Sequence, residues 1–282
     1  MIKDIFSQIL DRKRQAVKQL RADPSSWTFR ERALEIRKKA NPHQLLRALE
    51  LNSQRPKIIA EFKRRSPSLG IIRDDFTASE IVRCYERGGA CAISVLTDEE
   101  YFGGSIADLS AARSSTDLPI LRKDFIIDPI QVYEAALAGA DAVLLITAAL
   151  DDLSLGQLCE VAEGELRLDA LVEVHTSDEL RRALNAGARI IGVNNRDLRT
   201  FRVSLNTSER LIAKAPADKI MISESGLQIA DSLLRLRKLG FRGFLIGELL
   251  MRAPDPETAL RGLIAATDEQ QLAATSTSAH QS

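Results

Sequence analysis

The sequence predicts an α/β protein, a (β/α)₈ TIM barrel with an N-terminal helical extension and a disordered C-terminal tail. Three observations predict it. A unit that runs helix, glycine, polar step and apolar strand recurs at Gly89, Gly139, Gly187 and Gly240, at intervals of 50, 48 and 53 residues. Each interval is twice the length of a short strand–helix unit, so a further unit belongs between each pair. The missing strands are present at 119–122, 170–174 and 219–223, and 57–62 opens the series, which makes eight. Finally, the strands are apolar on both faces and alternate with helices, the pattern of a parallel sheet covered on both sides. An open doubly wound sheet is the alternative. It normally carries G-x-G-x-x-G after its first strand, and that fingerprint is absent.

In order, residues 2–22 repeat apolar side chains at helical spacing, with Lys and Arg between, and form an amphipathic helix. Pro24, Ser25 and Ser26 break it. A charged helix follows over 30–39, stopped by Asn41-Pro42, and a short one over 43–51. Residues 1–52 are therefore an extension packed on the barrel, and 53–266 are the barrel. Thr77-Ala78-Ser79-Glu80 is a capping box ahead of Ile81 and Val82. Asp128-Pro129 opens a helix to Ala138, with Pro at the first helical position. Further helices cover 177–185, 206–214, 229–239 and 256–264. The tail, 267–282, is rich in Gln, Ala, Ser and Thr and is expected to be flexible, disordered over 275–282.

Composition limits the function. Lys plus Arg and Asp plus Glu number 39 each in 282 residues, so the net charge is zero, which argues against a nucleic-acid coat. Cys84, Cys91 and Cys159 show no CxxC pairing, and His43, His175 and His280 are scattered, so neither a disulfide frame nor a metal site is expected. No signal peptide or 18-residue apolar run is visible. A cytoplasmic protein without membrane or nucleic-acid partner is the expectation.

In such barrels the chemistry sits at the C-terminal ends of strands. Along the first strand Ile59, Glu61 and Lys63 share one face, and Ile58, Ala60 and Phe62 the other. By itself the Glu61–Lys63 pair reads equally as a neutralised ion pair or as a site for an anion. Lys123 follows the phase of Leu121, Glu173 that of Leu171, and Asn194 that of Ile190. The seventh strand ends in Ser223-Glu224-Ser225-Gly226 and the eighth in Gly247-Glu248. Polar groups at six of eight strand ends, in phase with the inner face, argue for one shared polar site.

Ser225-Gly226 and Gly247-Glu248 occupy the loops after strands seven and eight, where this fold binds phosphate. Lys63, beside the eighth strand in a closed barrel, adds a positive charge. Lys123 among carboxylates suits a general acid, and Glu173 a matching base. Phe102 and Phe125, in the loops after strands two and three, suit an aromatic ligand as well as ordinary packing. His175 reads as a capping or packing residue beyond the fifth strand. Cys91 lies at the wrong end of its strand for catalysis. Arg64-Arg65 reads as solvated, or bound to a phosphate or carboxylate.

The segment Ile59-Ala60-Glu61-Phe62-Lys63-Arg64-Arg65-Ser66-Pro67-Ser68 resembles the signature of the indole-3-glycerol phosphate synthase family. So do Ile93-Ser94-Val95-Leu96-Thr97-Asp98, Tyr101-Phe102-Gly103-Gly104-Ser105, Leu121-Arg122-Lys123-Asp124-Phe125, Leu171-Val172-Glu173-Val174-His175, Gly192-Val193-Asn194-Asn195-Arg196-Asp197-Leu198 and Ser223-Glu224-Ser225-Gly226. The resemblance runs in order from the first helix to about Pro256. It implies ring closure of 1-(2-carboxyphenylamino)-1-deoxyribulose 5-phosphate to indole-3-glycerol phosphate, with loss of CO₂ and water and no cofactor or metal.

On that resemblance Lys123 is the general acid, and Glu173 the base or the stabiliser of a cationic intermediate. Lys63, oriented by Glu61, holds the carboxylate or phosphate. Asn194, Arg196 and Glu224 contact carboxylate and hydroxyls. Ser225, Gly226, Gly247 and the Glu248 N–H take the phosphate, Phe102 and Phe125 pack on the aromatic ring, and Ser66 binds substrate. The implied partner is a small phosphorylated substrate, bound by a monomer that meets other tryptophan-pathway enzymes only transiently.

Two alternatives compete. A phosphoribosylanthranilate isomerase-like barrel would want a Cys near the end of the first strand, where Glu61 stands. A non-catalytic phosphate-binding barrel would be free to lose Lys123 or Glu173. The loop 66–70 reads as a mobile cover over the site.

Overall fold

The computed structural model describes residues 5–51 and 55–279. Eight parallel strands close a barrel: β1 Lys57–Phe62, β2 Ala92–Leu96, β3 Ile120–Lys123, β4 Ala142–Ile146, β5 Asp169–Val174, β6 Ile190–Asn194, β7 Ile220–Glu224 and β8 Gly243–Ile246. Each pairs with its chain neighbour, and β1 closes the ring by pairing with both β2 and β8. A two-residue ribbon, Arg65–Ser66 against Gly70–Ile71, lies in the loop after β1.

The helices are α1 Ile5–Ala22, α2 Phe29–Lys39, α3 Gln44–Glu50, α4 Ala78–Gly88, α5 Glu99–Phe102, α6 Ile106–Arg113, α7 Pro129–Leu137, α8 Asp152–Cys159, α9 Ser177–Asn185, α10 Asn206–Ile212, α11 Ala230–Lys238, α12 Glu248–Arg252 and α13 Pro256–Ala279. The Thr77 capping box forms in full. The repeat glycines 89, 139, 187 and 240 all take positive φ, which lets each chain leave its helix directly for the next strand.

Helices α5, α6, α8 and α12 are absent from the sequence reading. Three of them carried a signal: Asp98, Ser105 and Asp151 accept hydrogen bonds from Tyr101 N, Asp108 N and Ser154 N as N-caps. Helix α13 runs past its expected end at Ile264 into the stretch read as a tail. Thr267 is buried there and donates to the Ile264 carbonyl, and Asp268 pairs with Arg55. No Pro or Gly interrupts residues 263–279, and Ala, Glu and Gln favour continuation. The expected disordered 275–282 thus divides into helical 275–279 and 280–282, which lie outside the described residues, as do residue 2 of the first helix and the 52/53 boundary.

Two apolar cores follow from strand alternation. Ile58, Ala60 and Phe62 face the helices together with Val95, Val172 and Val193. Ile59, Leu121, Leu171, Ile190, Ile222 and Leu245 fill the barrel interior. Burying side chains of this size contributes about 1.5–3 kcal/mol each before entropy is charged.

The N-terminal extension reaches both ends of the barrel. Leu45 and Leu49 of α3 join the interior core, and a Cβ on Gly243, at the start of β8, would press on Leu49. Gln44 bonds Asp141, and Leu46 N bonds Asp169, both at strand starts. Helix α1 crosses the opposite end. Its Ile9 and Leu10 join the same interior core as Phe125, beyond the end of β3. A simple layer in front of the barrel was the sequence expectation; instead one segment closes the bottom and helps roof the top.

Candidate active site

At the C-terminal end of the barrel lies a cavity of about 540 Å³, a usual size for a small-molecule site. All fourteen residues singled out in the sequence line it. The six proposed to act chemically are Glu61 on β1, Lys63 just after it, Lys123 ending β3, Glu173 on β5, Asn194 ending β6 and Glu224 ending β7. The eight proposed to bind are Ser66, Phe102, Phe125, Arg196, Ser225, Gly226, Gly247 and Glu248.

Lys123 is the electrostatic centre. Its Nζ stands 3.6 Å from Glu173 Oε2 and 3.7 Å from Glu224 Oε2. Burial alone would drive the proton off, but Glu173, Glu224 and Glu61 outweigh it and raise the Lys123 pKa above its ordinary value. The ammonium form therefore dominates near neutral pH. Lys63 Nζ donates to Glu61 Oε1 at 2.7 Å. Burial opposes the Glu61 charge, yet Lys63 and Lys123 hold its carboxyl below the ordinary value. Glu224 goes the other way. Burial raises it, and the nearby Glu173 and Glu61 charges add to that against the pull of Lys123.

The carboxylates need room, and two glycines provide it, one in β6 and one just past β8. A Cβ on Gly192 of β6 would run into Glu224 Oε1. A Cβ on Gly247 would stand 2.6 Å from Glu61 Oε1. Buried Oε2 of Glu173 and Oε1 of Glu224 have no hydrogen-bond partner. Unpaired acceptors of this kind are costly and suit a ligand that donates.

The anion end is built from the last two loops. Ser225 and Gly226 both take positive φ, 65° and 75°. The buried Asn195 amide holds them there by donating to Ser223 Oγ and to the Glu224 and Ser225 carbonyls. Gly247 and Glu248 face them at the start of α12. One phase expectation is corrected. Leu245 and Gly247 point inward from β8, whereas Glu248 begins α12, and its carboxylate pairs with Arg196 at 3.5 Å and Arg252 at 3.3 Å. Strand alternation stops where the helix starts, so inward phase could not be carried to Glu248. Helix α11 begins at Ala230, so Ser225–Gly226 sits in the loop before it and not at its first turn.

The opposite wall is apolar. Phe102, which closes α5, and Phe125 have ring centroids 6.2 Å apart, and Phe6 of α1 lies 6.2 Å from Phe125. Phe6 and Ile9 line the cavity, and sequence reasoning missed them. On an amphipathic helix, a pocket-lining apolar face looks like any packing face. Asn195 was missed as well, because its phase points away from the barrel interior.

Other residues fall outside the cavity. Of the alternatives for Arg64, the carboxylate is the one found: it makes a bidentate pair with Asp108 at 2.7 Å and lies 4.7 Å from the Phe62 ring. Cys91 sits just ahead of β2, at the other end of the barrel. Among the described residues no group of three or more His, Cys, Asp or Glu side chains is placed to hold a metal ion.

A sequence model of the family described as indole-3-glycerol phosphate synthase matches residues 6–263. The chain belongs to the indole-3-glycerol phosphate synthase family. The match takes in α1 as well as the barrel, and ends one residue before Ile264. A protein of Carboxydothermus hydrogenoformans named indole-3-glycerol phosphate synthase is 44% identical over 263 residues, covering 92% of this chain and 99% of that one. Another of that name, from Leptothrix cholodnii, is 42% identical and covers 93% of this chain and 99% of its own. One from Aromatoleum aromaticum is 50% identical over 206 residues, 73% of this chain and 78% of that one. Among solved structures, thiamine phosphate pyrophosphorylase from Pyrococcus furiosus superposes with a TM-score of 0.57 at 19% identity, over 76% of this chain and 96% of that chain. That likeness is one of fold.

Proposed function

We propose that the chain converts 1-(2-carboxyphenylamino)-1-deoxyribulose 5-phosphate to indole-3-glycerol phosphate, CO₂ and water. The observation that carries this reading is Lys123, held as an ammonium between Glu173 and Glu224 in a cavity with an aromatic wall at one side and two glycine-bearing loops at the other. The substrate has matching parts: an aromatic ring, a carboxylate, an electrophilic carbonyl carbon and a phosphate.

In this reading Phe102 and Phe125 hold the ring, and the backbone of Ser225, Gly226, Gly247 and Glu248 takes the phosphate. Lys63, aimed by Glu61, holds the substrate carboxylate beside Ser66. Asn194, Arg196 and Glu224 contact the carboxylate and hydroxyls. The ring carbon bearing the carboxylate attacks the ribulose carbonyl carbon, and Lys123 protonates the carbonyl oxygen. CO₂ departs and the ring regains aromaticity. The new hydroxyl then leaves as water with a second proton from Lys123, while Glu173 accepts the proton lost from the adjacent carbon. Proton transfer and electrostatic stabilisation suffice for each step, so the reading includes no cofactor or metal. The exposed loop around Ser68 and Leu69 borders the cavity and serves as its cover.

We also read the chain as a cytoplasmic monomer whose contacts with other tryptophan-pathway enzymes are transient. No helix among the described residues is long and apolar enough to cross a membrane; sedimentation of the purified protein tests the monomer.

The deciding assay mixes purified protein with the carboxyphenylamino ribulose phosphate in the presence of EDTA. Indole fluorescence should grow, and its absence overturns the reading. Lys123→Ala should lower kcat on the order of 10²-fold or more; an unchanged rate overturns the acid assignment.

A further inference from the structure

Ring closure consumes one proton per turnover when the substrate binds as a carboxylate. Lys123 delivers two, one to the carbonyl oxygen and one to the departing hydroxyl, and Glu173 recovers only one. The acid must therefore be reloaded from solvent. Glu173 is buried at the cavity floor, and Lys123, which keeps 16% of its side-chain surface open, lines the same cavity, so a bound substrate covers both.

A line of titratable groups leads away from Glu173 on the side opposite Lys123. Glu173 Oε2 faces Lys123 Nζ at 3.6 Å, and its other oxygen, Oε1, faces His175 Nε2 at 3.5 Å. His175 Nδ1 lies 3.2 Å from Glu179 Oε2, in the first turn of α9. Glu179 is fixed there by accepting from His175 N at 2.7 Å, and its side chain keeps 16% of its surface open. His175 Nε2 is buried without a hydrogen-bond partner.

We propose that Glu179, His175 and Glu173 form a proton inlet that reloads Lys123. Resting on the ring-closure reading, it assigns His175 a role through Glu173, not on the substrate. The imidazolium, protonated on both ring nitrogens, gives its Nε2–H to Glu173 Oε1, and the carboxyl rotates to hand that same proton to the neutral Lys123 amine. The ring, left with its proton on Nδ1, rotates to take at Nε2 a solvent proton relayed by Glu179, and then turns back. One proton enters, one N–H bond forms at Lys123, and Glu173, His175 and Glu179 return to their starting states. The charged groups facing His175 are Glu173 on β5, Glu179 on α9, Glu224 on β7 and Asp197 after β6. Burial lowers the imidazole, but Glu179, Glu173 and Glu224 outweigh it and raise its pKa, so the inlet keeps its charge to higher pH than an ordinary histidine and empties as pH rises through that raised value.

Wild-type product formation, measured first, tests the ring-closure reading separately. His175→Gln should then lower kcat and the rate of the dehydration phase of a single turnover on the order of 10²-fold in dilute buffer, with KM unchanged and the alkaline ionisation lost from the kcat profile. Added imidazole should restore turnover. Glu179→Gln should show the same buffer dependence, which covers a poorly folding His175 variant. A wild-type kcat in both variants in dilute buffer overturns the inlet. So does a loss that resists imidazole and comes with a raised KM, the signature of a purely structural role.

Discussion

Lys13 Nζ, on the first helix, lies 2.7 Å from Asp124 Oδ1, the residue after the central lysine. It also lies 3.1 Å from Asp98 Oδ2. Asp124 is buried and further held by Arg122 at 3.0 Å and Thr97 at 2.7 Å. This joint pins α1, with Phe6 and Ile9, to the ends of β2 and β3. Lys13→Met leaves a buried carboxylate short of a partner and should cost about 3 kcal/mol. KM should rise as the apolar wall loosens. Denaturant midpoints and steady-state kinetics check both, and unaltered values in both would contradict the joint.

The same cluster predicts a pH dependence. Burial pushes the Asp124 carboxyl up, but Lys13 and Arg122 outweigh it and bring it down to about 2. A depressed folded value adds stability above the unfolded value of about 4, and that stability is lost as pH falls toward 2. The loss should amount to about 2–3 kcal/mol for a shift near two units. Asp124→Asn should flatten this acid limb in unfolding titrations between about pH 4 and pH 2; an identical slope would remove Asp124 as its source.

Gly192→Ala should push Glu224 out of its place, because the new methyl would occupy the position of Oε1. Overpacking of this kind costs about 1–3 kcal/mol. The activity loss should exceed the stability loss, since Glu224 faces Lys123. Thermal melts read beside kcat separate the two.

Glu224→Gln should stabilise the fold while impairing turnover. A carboxyl whose folded value is raised costs stability as pH climbs past its ordinary value. The variant should therefore melt above wild type at about pH 8 and with it at about pH 4, where both states carry the proton. A variant that melts lower at about pH 8 would mean that the carboxylate is net stabilising there.

The barrel was legible because its evidence is local. Glycines 89, 139, 187 and 240 end helices in a conformation that other residues avoid, and an apolar run follows each one. The inward phase of Glu61, Lys123, Glu173 and Glu224 followed from counting by two along each strand. That counting failed at Glu248, one residue into a helix, and it could not name the carboxylate that Arg64 binds, since Asp108 lies 44 residues away. It found nothing in α1, since the helical spacing of Phe6 and Ile9 says that they are buried but not against what. His175 carried a family motif yet no role, because its contacts with Glu173 and Glu179 depend on how the turn after β5 enters α9.

By itself, then, the sequence determined the repeat, the order of the elements and which charges point into the barrel, since those follow from backbone periodicity. Only the tertiary structure decided how the charges meet. The Glu61–Lys63 pair is both an ion pair and a wall of the cavity. The α1 helix anchors through Lys13, and two glycines clear space for carboxylates on neighbouring strands. Those are distances between groups far apart in the chain, fixed when the ring of strands closes, and no local pattern encodes them.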